Sequence, residues 1–289
     1  PVSRTRESTR CVDAVPRRIW LAALLALLFA AATLASPPLA AQPPQPQPRP
    51  ASINGAPNIN GIWQALNTAN WNLEGQAAEA IDEFWQLGAL FAVPPGPGVV
   101  RGGTIPYLPR GLERRARNRA SWPGEDTEAK CFRSGIPRQT YMPYPFEIIQ
   151  GDGDILFAYE YATSNRTVRM GENHISPDEV LVDQWLGWSN GRWEDGTLVV
   201  EVFGNLPVWL DRAGNFHNGG TVTERYTPMG DNHLWYEATI EDPATFARPW
   251  TIEMPLYRRL ERNPAIFEFK CVEIAEPLLY GELLKDPIE

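Results

Sequence analysis

The sequence has few of the residues on which metal and cofactor chemistry depends. Among its 289 residues are three cysteines and three histidines. The histidines, His174, His217 and His233, are far apart in segments with loop composition, and this is not the spacing of metal ligands. Neither a P-loop string nor an H-E-x-x-H string occurs. We therefore expect no metal and no cofactor.

Positive charge precedes a single long apolar run near the start of the chain. Arg17 and Arg18 stand before the run, which extends from Ile19 to Ala35 and ends at two prolines. A basic segment, an apolar stretch and then small residues are typical of a secretory signal peptide. The alternative is a membrane anchor, for which the run is slightly short. We predict a signal peptide over residues 1–41 and a protein of the periplasm or the extracellular space.

Removal of this signal would leave a strongly acidic protein. The whole chain has a net charge of −9, and residues 1–41 carry five arginines against two carboxylates, so the remainder would be at −12. Negative charge disfavours contact with nucleic acid and with anionic membrane surfaces. We therefore expect a small molecule as partner, with no nucleic acid and no membrane. The oligomeric state is left open.

Two cysteines lie beyond the predicted signal, Cys131 and Cys271. In an oxidising compartment two leftover cysteines usually pair. We predict a disulfide that ties the start of the β region to its last strand. The alternative is two buried free thiols. Neither cysteine belongs to a C-x-x-C pair, which argues against a zinc site.

The rest of the chain divides by composition into a linker and one domain. Residues 42–52 are rich in Pro and Gln and predict an extended linker. Residues 53–289 form the predicted single domain. Its first part, 53–140, predicts helices and loops, with helical composition over 76–90 and an arginine-rich helix or surface strap over 109–120.

Residues 141–289 change to the pattern of β-strands. Apolar residues alternate, as at Ile155, Phe157 and Tyr159, and turn strings such as Glu194-Asp195-Gly196 separate the runs. Strands joined in succession by short turns predict a mainly β fold. We predict an antiparallel meander forming a lipocalin-like up-and-down barrel, with a sandwich as the alternative. Many strands are apolar on both faces, so the helices and loops of 53–140 would cover the barrel.

Several strings together resemble a known group of proteins. They are Met142-Pro143-Tyr144-Pro145-Phe146, Gly187-Trp188-Ser189-Asn190-Gly191-Arg192-Trp193-Glu194, Trp209-Leu210-Asp211-Arg212-Ala213-Gly214, Thr223-Glu224-Arg225-Tyr226, and Glu241-Asp242-Pro243 with Arg248-Pro249-Trp250. Over most of residues 42–289 the chain resembles an uncharacterised family of secreted bacterial β-rich proteins, and this resemblance implies no particular activity. A Gly61-x-Trp63 string is similar, more weakly, to the one that closes the barrel floor of lipocalins.

One set of residues could perform acid–base chemistry. His217 lies in a polar loop between strands, where sites are often built. Asp211 could orient its ring, and Glu224 or Glu237 could serve as a second carboxylate, including in glycoside cleavage. The alternative is that His217 only holds a turn and that the carboxylates form ion pairs on strand surfaces.

A second set could contact a ligand. Aromatic side chains are abundant in the strand region and pack against sugars and apolar molecules, and arginines beside them allow cation–π contacts. The residues of this set are Tyr159, Trp188, Trp209, Arg225, Trp235 and Arg248. Barrel packing alone would use many of these aromatic side chains.

Three functions follow from these observations. The first is a secreted or periplasmic barrel that binds a small apolar or glycosidic ligand. The second is a cofactor-free hydrolase, lyase or isomerase that uses His217 with the carboxylates. The third is an interaction protein whose barrel is filled by side chains. Convergence of His217 and a carboxylate at a cavity would favour the enzyme, and an aromatic cavity without such convergence would favour binding.

Overall fold

The structure is a computed structural model that describes residues 51–81 and 92–270, all within one compact unit, Pro50–Glu289. Nine strands close into a barrel, which confirms the predicted mainly β barrel. They are β3 (Gly61–Ala65), β6 (Phe146–Gln150), β7 (Ile155–Tyr159), β8 (Ser164–Met170), β9 (Trp188–Glu194), β10 (Thr197–Phe203), β13 (Thr221–Pro228), β14 (His233–Glu241) and β15 (Trp250–Arg258). The predicted signal peptide and Cys271 lie outside the described residues.

The barrel strands follow one another in chain order, and β15 closes the ring against β3. Every pair is antiparallel except β8 with β9, which run parallel from Val168 opposite Ser189 to Met170 opposite Gly191. Nine strands cannot alternate direction all the way round, so one parallel pair is unavoidable. Residues 171–187 carry the chain back along the barrel between these two strands. The predicted antiparallel meander is therefore wrong at this one connection.

Shorter elements lie outside the barrel. The predicted helix over 109–120 is confirmed as α1 (Pro109–Ser121), and a single turn, α2 (Arg138–Tyr141), follows it. The helix predicted over 76–90 does not begin at Gln76, whose backbone pairs with that of Gly96; residues 82–90 of that prediction lie outside the described part. The other short strands are β1 (Ser52–Ile53), β2 (Ala56–Pro57), β4 (Glu79–Ala80), β5 (Ala92–Val93), β11 (Val208–Trp209) and β12 (Phe216–His217), with 3₁₀ turns at Tyr161–Thr163, Gly171–Asn173 and Pro177–Glu179.

The barrel interior is filled by alternate side chains of its strands. The alternation predicted for β7 is observed, since Ile155, Phe157 and Tyr159 are buried. Aromatic rings meet across the interior, with Phe157 5.3 Å from Tyr226 and Tyr226 5.0 Å from Tyr236 between ring centroids. Burial of this apolar surface stabilises the closed barrel.

One end of the barrel is closed by α2. Strands β3 and β10 both run toward this end, and the long connections 66–145 and 204–220 leave from it. All four residues of α2 are buried. Gln139 donates from Nε2 to the hydroxyl of Ser164, and the hydroxyl of Tyr141 donates to the carbonyl of Leu210. Within the described ranges, no helix is long and apolar enough to cross a membrane.

Candidate functional site

A charged pair lies inside the barrel. Glu224 of β13 and Arg166 of β8 point into the interior from strands that do not touch, and Arg166 Nη1 lies 2.6 Å from Glu224 Oε2. Both side chains are almost inaccessible, at 0% and 3% exposure. This contact is an ion pair, and Glu224 Oε2 accepts no hydrogen bond of good geometry from the described residues. Two charges this far from water are stable only together.

Tyrosine hydroxyls satisfy the remaining polar atoms of this pair. Tyr226 and Tyr236 donate to Glu224 Oε1 at 2.9 and 2.7 Å. Arg166 donates from Nε to the hydroxyl of Tyr159 and from Nη2 to that of Tyr226, both at 3.1 Å. Burial and the nearby Glu224 carboxylate raise the pKa of Tyr226 and Tyr236, so both act as neutral donors. We call these five residues the interior cluster.

His217 is buried between backbone groups and has no free ring nitrogen. Its Nε2 lies 2.9 Å from the carbonyl of Ile136, which can only accept, so Nε2 carries the proton. Its Nδ1 accepts from the amide of Gly219 at 3.1 Å. Burial lowers the pKa of His217. The ring therefore holds the β11–β12 hairpin against the loop before α2.

Asp211 is held by a different set of donors. Its carboxylate accepts from the amides of Leu73 and Asn215 and from Asn215 Nδ2. Burial raises the pKa of Asp211 to about 6, although these hydrogen bonds oppose the shift. None of these contacts is with His217, whose ring Asp211 was predicted to orient. Asp211 instead ties the connection after β3 to the loop after β11.

We predict that His217 makes the protein less stable in acid. Because the pKa of His217 is lowered in the folded state, the unfolded chain binds a proton more readily, and stability falls as pH drops below about 6.5. The His217→Gln variant should lose this component. Urea unfolding at about pH 7.5 and pH 5 measures the difference.

A variant of Asp211 provides the control with the opposite sign. The raised pKa of Asp211 adds stability as pH falls through about 6, by about 1 kcal/mol at pH 5. Asp211→Asn should therefore steepen the loss of stability in acid, whereas His217→Gln should flatten it. Equal pH dependence of the wild type and His217→Gln would contradict the assignment.

The other predicted carboxylate faces away from the interior. Glu237 lies on the outer face of β14 and forms an ion pair with Arg101, which also pairs with Glu253. Glu224 and Glu237 are thus on opposite sides of the barrel wall. The structure does not bring His217, Asp211, Glu224 and Glu237 to one cavity.

The predicted ligand-binding residues are also dispersed. Tyr159 belongs to the interior cluster, and Trp209 is buried in β11. Arg225 and Trp235 alternate with buried neighbours and face outward, where Arg225 pairs with Glu194. Arg248 is exposed and contacts the carbonyl of Pro249. Of this set, Trp188 lines a cavity beside β8.

That cavity lies where the barrel wall is incomplete. The parallel pairing of β8 with β9 covers only Val168–Met170, so the first half of β8 extends past its partner strand. A cavity of about 500 Å³ opens beside this half. We call it the seam pocket. Its lining consists of Arg133, Asn165, Arg166, Thr167, Arg169, Asp183, Gln184, Trp185, Leu186, Gly187, Trp188, Ser189 and Leu206.

Gly187, Trp188 and Ser189 of the pocket lining begin a Gly-x-Ser-x-Gly string, Gly187-Trp188-Ser189-Asn190-Gly191. In hydrolases this string forms a turn between a strand and a helix that exposes the serine. Here Ser189 lies within β9 and is only 4% exposed, and its hydroxyl accepts from Arg166 Nη1 at 3.3 Å. The string therefore does not form a nucleophile elbow, and Ser189 links the pocket wall to the interior cluster.

A second buried charge network lies in the cover over the barrel end, and the sequence predictions did not include it. Arg138 of α2 donates to both oxygens of Asp126 at 2.6 and 3.0 Å and to Glu128 at 2.8 Å. Arg212 binds Glu128 through two further hydrogen bonds. Burial disfavours the charge on Glu128, but Arg212 and Arg138 outweigh it and lower the pKa of Glu128 to about 2.

The remaining candidate groups are metal ligands and the cysteines. Among residues 51–81 and 92–270, no group of three or more His, Cys, Asp or Glu side chains could hold a metal ion. The pairing of Cys131 with Cys271 stays a prediction, because Cys271 lies outside the described part of the chain. No family model and no curated protein matches the sequence.

Proposed function

We propose that this protein is an exported barrel that binds a small organic molecule in the seam pocket without acting on it chemically. The observation that carries the proposal is the pocket itself. Its volume, about 500 Å³, falls within the roughly 300–1,000 Å³ of small-molecule sites. The signal-peptide pattern of residues 1–41 supports export.

The lining of the seam pocket suits a molecule with an apolar or planar body. Trp185 and Trp188 supply aromatic surface beside the aliphatic Leu186 and Leu206. Phe132, outside the lining, packs on Trp185 with ring centroids 5.4 Å apart and extends the aromatic surface. Gln184, Asn165 and Thr167 add neutral hydrogen-bonding groups.

Binding is favoured over catalysis by the positions of the acid–base candidates. Both nitrogens of His217 are engaged by backbone, and Asp211 is engaged by Leu73 and Asn215. Neither residue lines the seam pocket. A general base needs an accessible lone pair within reach of its substrate. The enzyme hypothesis therefore has no supporting arrangement in the described residues.

Filling the seam pocket should weaken binding strongly. Thr167 lines the pocket from β8 and its side chain is exposed, so Thr167→Phe should occupy space without disturbing the core. We expect an anilinonaphthalene fluorescent probe to bind the wild type and to lose at least tenfold in affinity in Thr167→Phe, a change of about 1.4 kcal/mol.

The matched control is the same substitution on another strand. Thr221 is exposed at the start of β13 and is not part of the seam pocket. Thr221→Phe should bind the probe as the wild type does. Equal probe binding by both variants, or no binding by the wild type, would refute the proposed site.

A further inference from the structure

The charged groups in the seam pocket bear on the nature of its ligand. The side chains of Arg133 and Arg169 line the pocket and form no ion pair or hydrogen bond with any described residue, and neither does the side chain of the one acidic residue, Asp183. Most other arginines of the barrel wall have partners, as Arg192 does with Glu194 and Glu201. The pocket thus combines two unpaired cations with one unpaired anion.

The third arginine of the pocket does not contribute an available charge. The guanidinium of Arg166 points inward, is 3% exposed at its side chain, and is neutralised by Glu224. It forms part of the pocket floor together with Ser189. The charge facing a ligand is therefore that of Arg133 and Arg169 less that of Asp183, a net of +1, on a protein whose overall charge is −9.

We infer that the ligand of the seam pocket is a small organic anion, with an aromatic or apolar body and a carboxylate, sulfonate or sulfate group. The body would pack on Trp185 and Trp188, and the anionic group would be bound by Arg133 and Arg169. Arginine is suited to this task because its planar fork of donors matches such oxyanions and its aromatic stacking suits the same ligand. This inference rests on the proposed function, since it assumes that the pocket binds a small molecule.

Two probes with one skeleton test the charge. Anilinonaphthalene sulfonate is an anion, and N-phenylnaphthylamine is its uncharged counterpart. We expect the sulfonate to bind the wild type more tightly, and its affinity to fall roughly fivefold to tenfold in each of Arg133→Gln and Arg169→Gln. The uncharged probe should bind all three proteins with similar affinity.

Two further variants control for overall charge. Arg248→Gln removes the same charge from an exposed site outside the seam pocket and should leave sulfonate binding unchanged. Asp183→Asn removes the one negative charge of the pocket and should increase sulfonate affinity about threefold. Because a loosened fold also binds this probe more strongly, the uncharged probe should bind Asp183→Asn as it binds the wild type.

The outcomes separate the two proposals. One outcome is that both probes bind the wild type equally, lose affinity in Thr167→Phe and keep their affinity in the arginine variants. The seam pocket is then a binding site, but its ligand is not an anion. If Thr167→Phe affects neither probe, the proposed function itself fails. Loss of sulfonate binding in Arg248→Gln as large as in Arg133→Gln would also overturn the inference.

Discussion

Replacing Glu224 by glutamine is expected to lower the free energy of unfolding by about 3–5 kcal/mol. The substitution keeps the shape of the side chain, so it opens no cavity. It removes the negative charge that neutralises Arg166, whose guanidinium is 3% exposed and lies 2.6 Å from Glu224 Oε2. Without that charge, Arg166 is an uncompensated cation inside the barrel. Urea or thermal unfolding followed by tryptophan fluorescence measures the loss.

A matched control stands on the next strand. Glu237→Gln makes the same chemical change on the outer face of β14, where the partner is the half-exposed Arg101. Exposed ion pairs contribute about 0.2–1 kcal/mol, so the control should lose no more than that. Equal losses in Glu224→Gln and Glu237→Gln would show that the interior pair is not electrostatically critical.

Removing both charges should be less harmful than removing one. A double variant, Arg166→Met with Glu224→Leu, replaces the pair by apolar side chains of similar volume. Such replacements are often neutral or stabilising in other proteins. Here Tyr226 and Tyr236 would lose their acceptor, so we expect the double variant to be more stable than Glu224→Gln but less stable than the wild type. Comparison of the double variant with the single variants Arg166→Met and Glu224→Leu gives the interaction free energy between the two side chains.

The barrel could be predicted because its signals are local. Alternation over Ile155–Tyr159 and the Asp195-Gly196 turn each specify a strand or a hairpin within a few residues. The direction of β9 could not be predicted in this way. It depends on the number of strands in the closed ring and on the path of residues 171–187, and no short string encodes either. The seam pocket follows from that parallel pair and was therefore not predicted.

The candidate site was harder to predict, because its contacts join distant parts of the chain. Glu224 could be recognised as a charge among apolar strand residues that needs a partner, but its partner Arg166 is fixed only by closure of the barrel. The residues around His217 have the composition of a polar surface loop. In the structure, however, the β11–β12 hairpin buries His217 against Ile136. The sequence alone does not show which charged side chains, such as that of Arg133, form no ion pair in the folded protein.

Replacing Arg138 is the second change with a large expected effect. Arg138 is fully buried, and its guanidinium holds both oxygens of Asp126, which is also fully buried. Burial opposes the charge on Arg138, but Asp126 and Glu128 outweigh it and raise its pKa. Arg138→Met should therefore leave Asp126 without its cation and lower the free energy of unfolding by about 3–5 kcal/mol.

Two graded variants separate charge from geometry. Arg138→Lys keeps the charge but loses the two-pronged contact with Asp126, and we expect a smaller loss than in Arg138→Met. Arg212→Met removes a partner of Glu128 that is 23% exposed, while Arg138 still contacts that carboxylate. It should cost about 1–2 kcal/mol. Equal losses in all three variants would contradict the importance of both the two-pronged contact and the burial of Arg138.

The position of Arg138 also predicts where the barrel should open first. Its helix, α2, closes the barrel end, and its neighbour Thr140 lies 3.4 Å from Glu224 Oε1 of the interior cluster. Loosening α2 would admit water to the ion pair of Glu224 with Arg166. Relative to the wild type, we therefore expect amide hydrogen exchange in Arg138→Met to accelerate more in α2 than in β14 and β15, the strands farthest round the ring from the pairing of β8 with β9. Uniform acceleration across all strands would instead indicate that α2 and the barrel unfold as one unit.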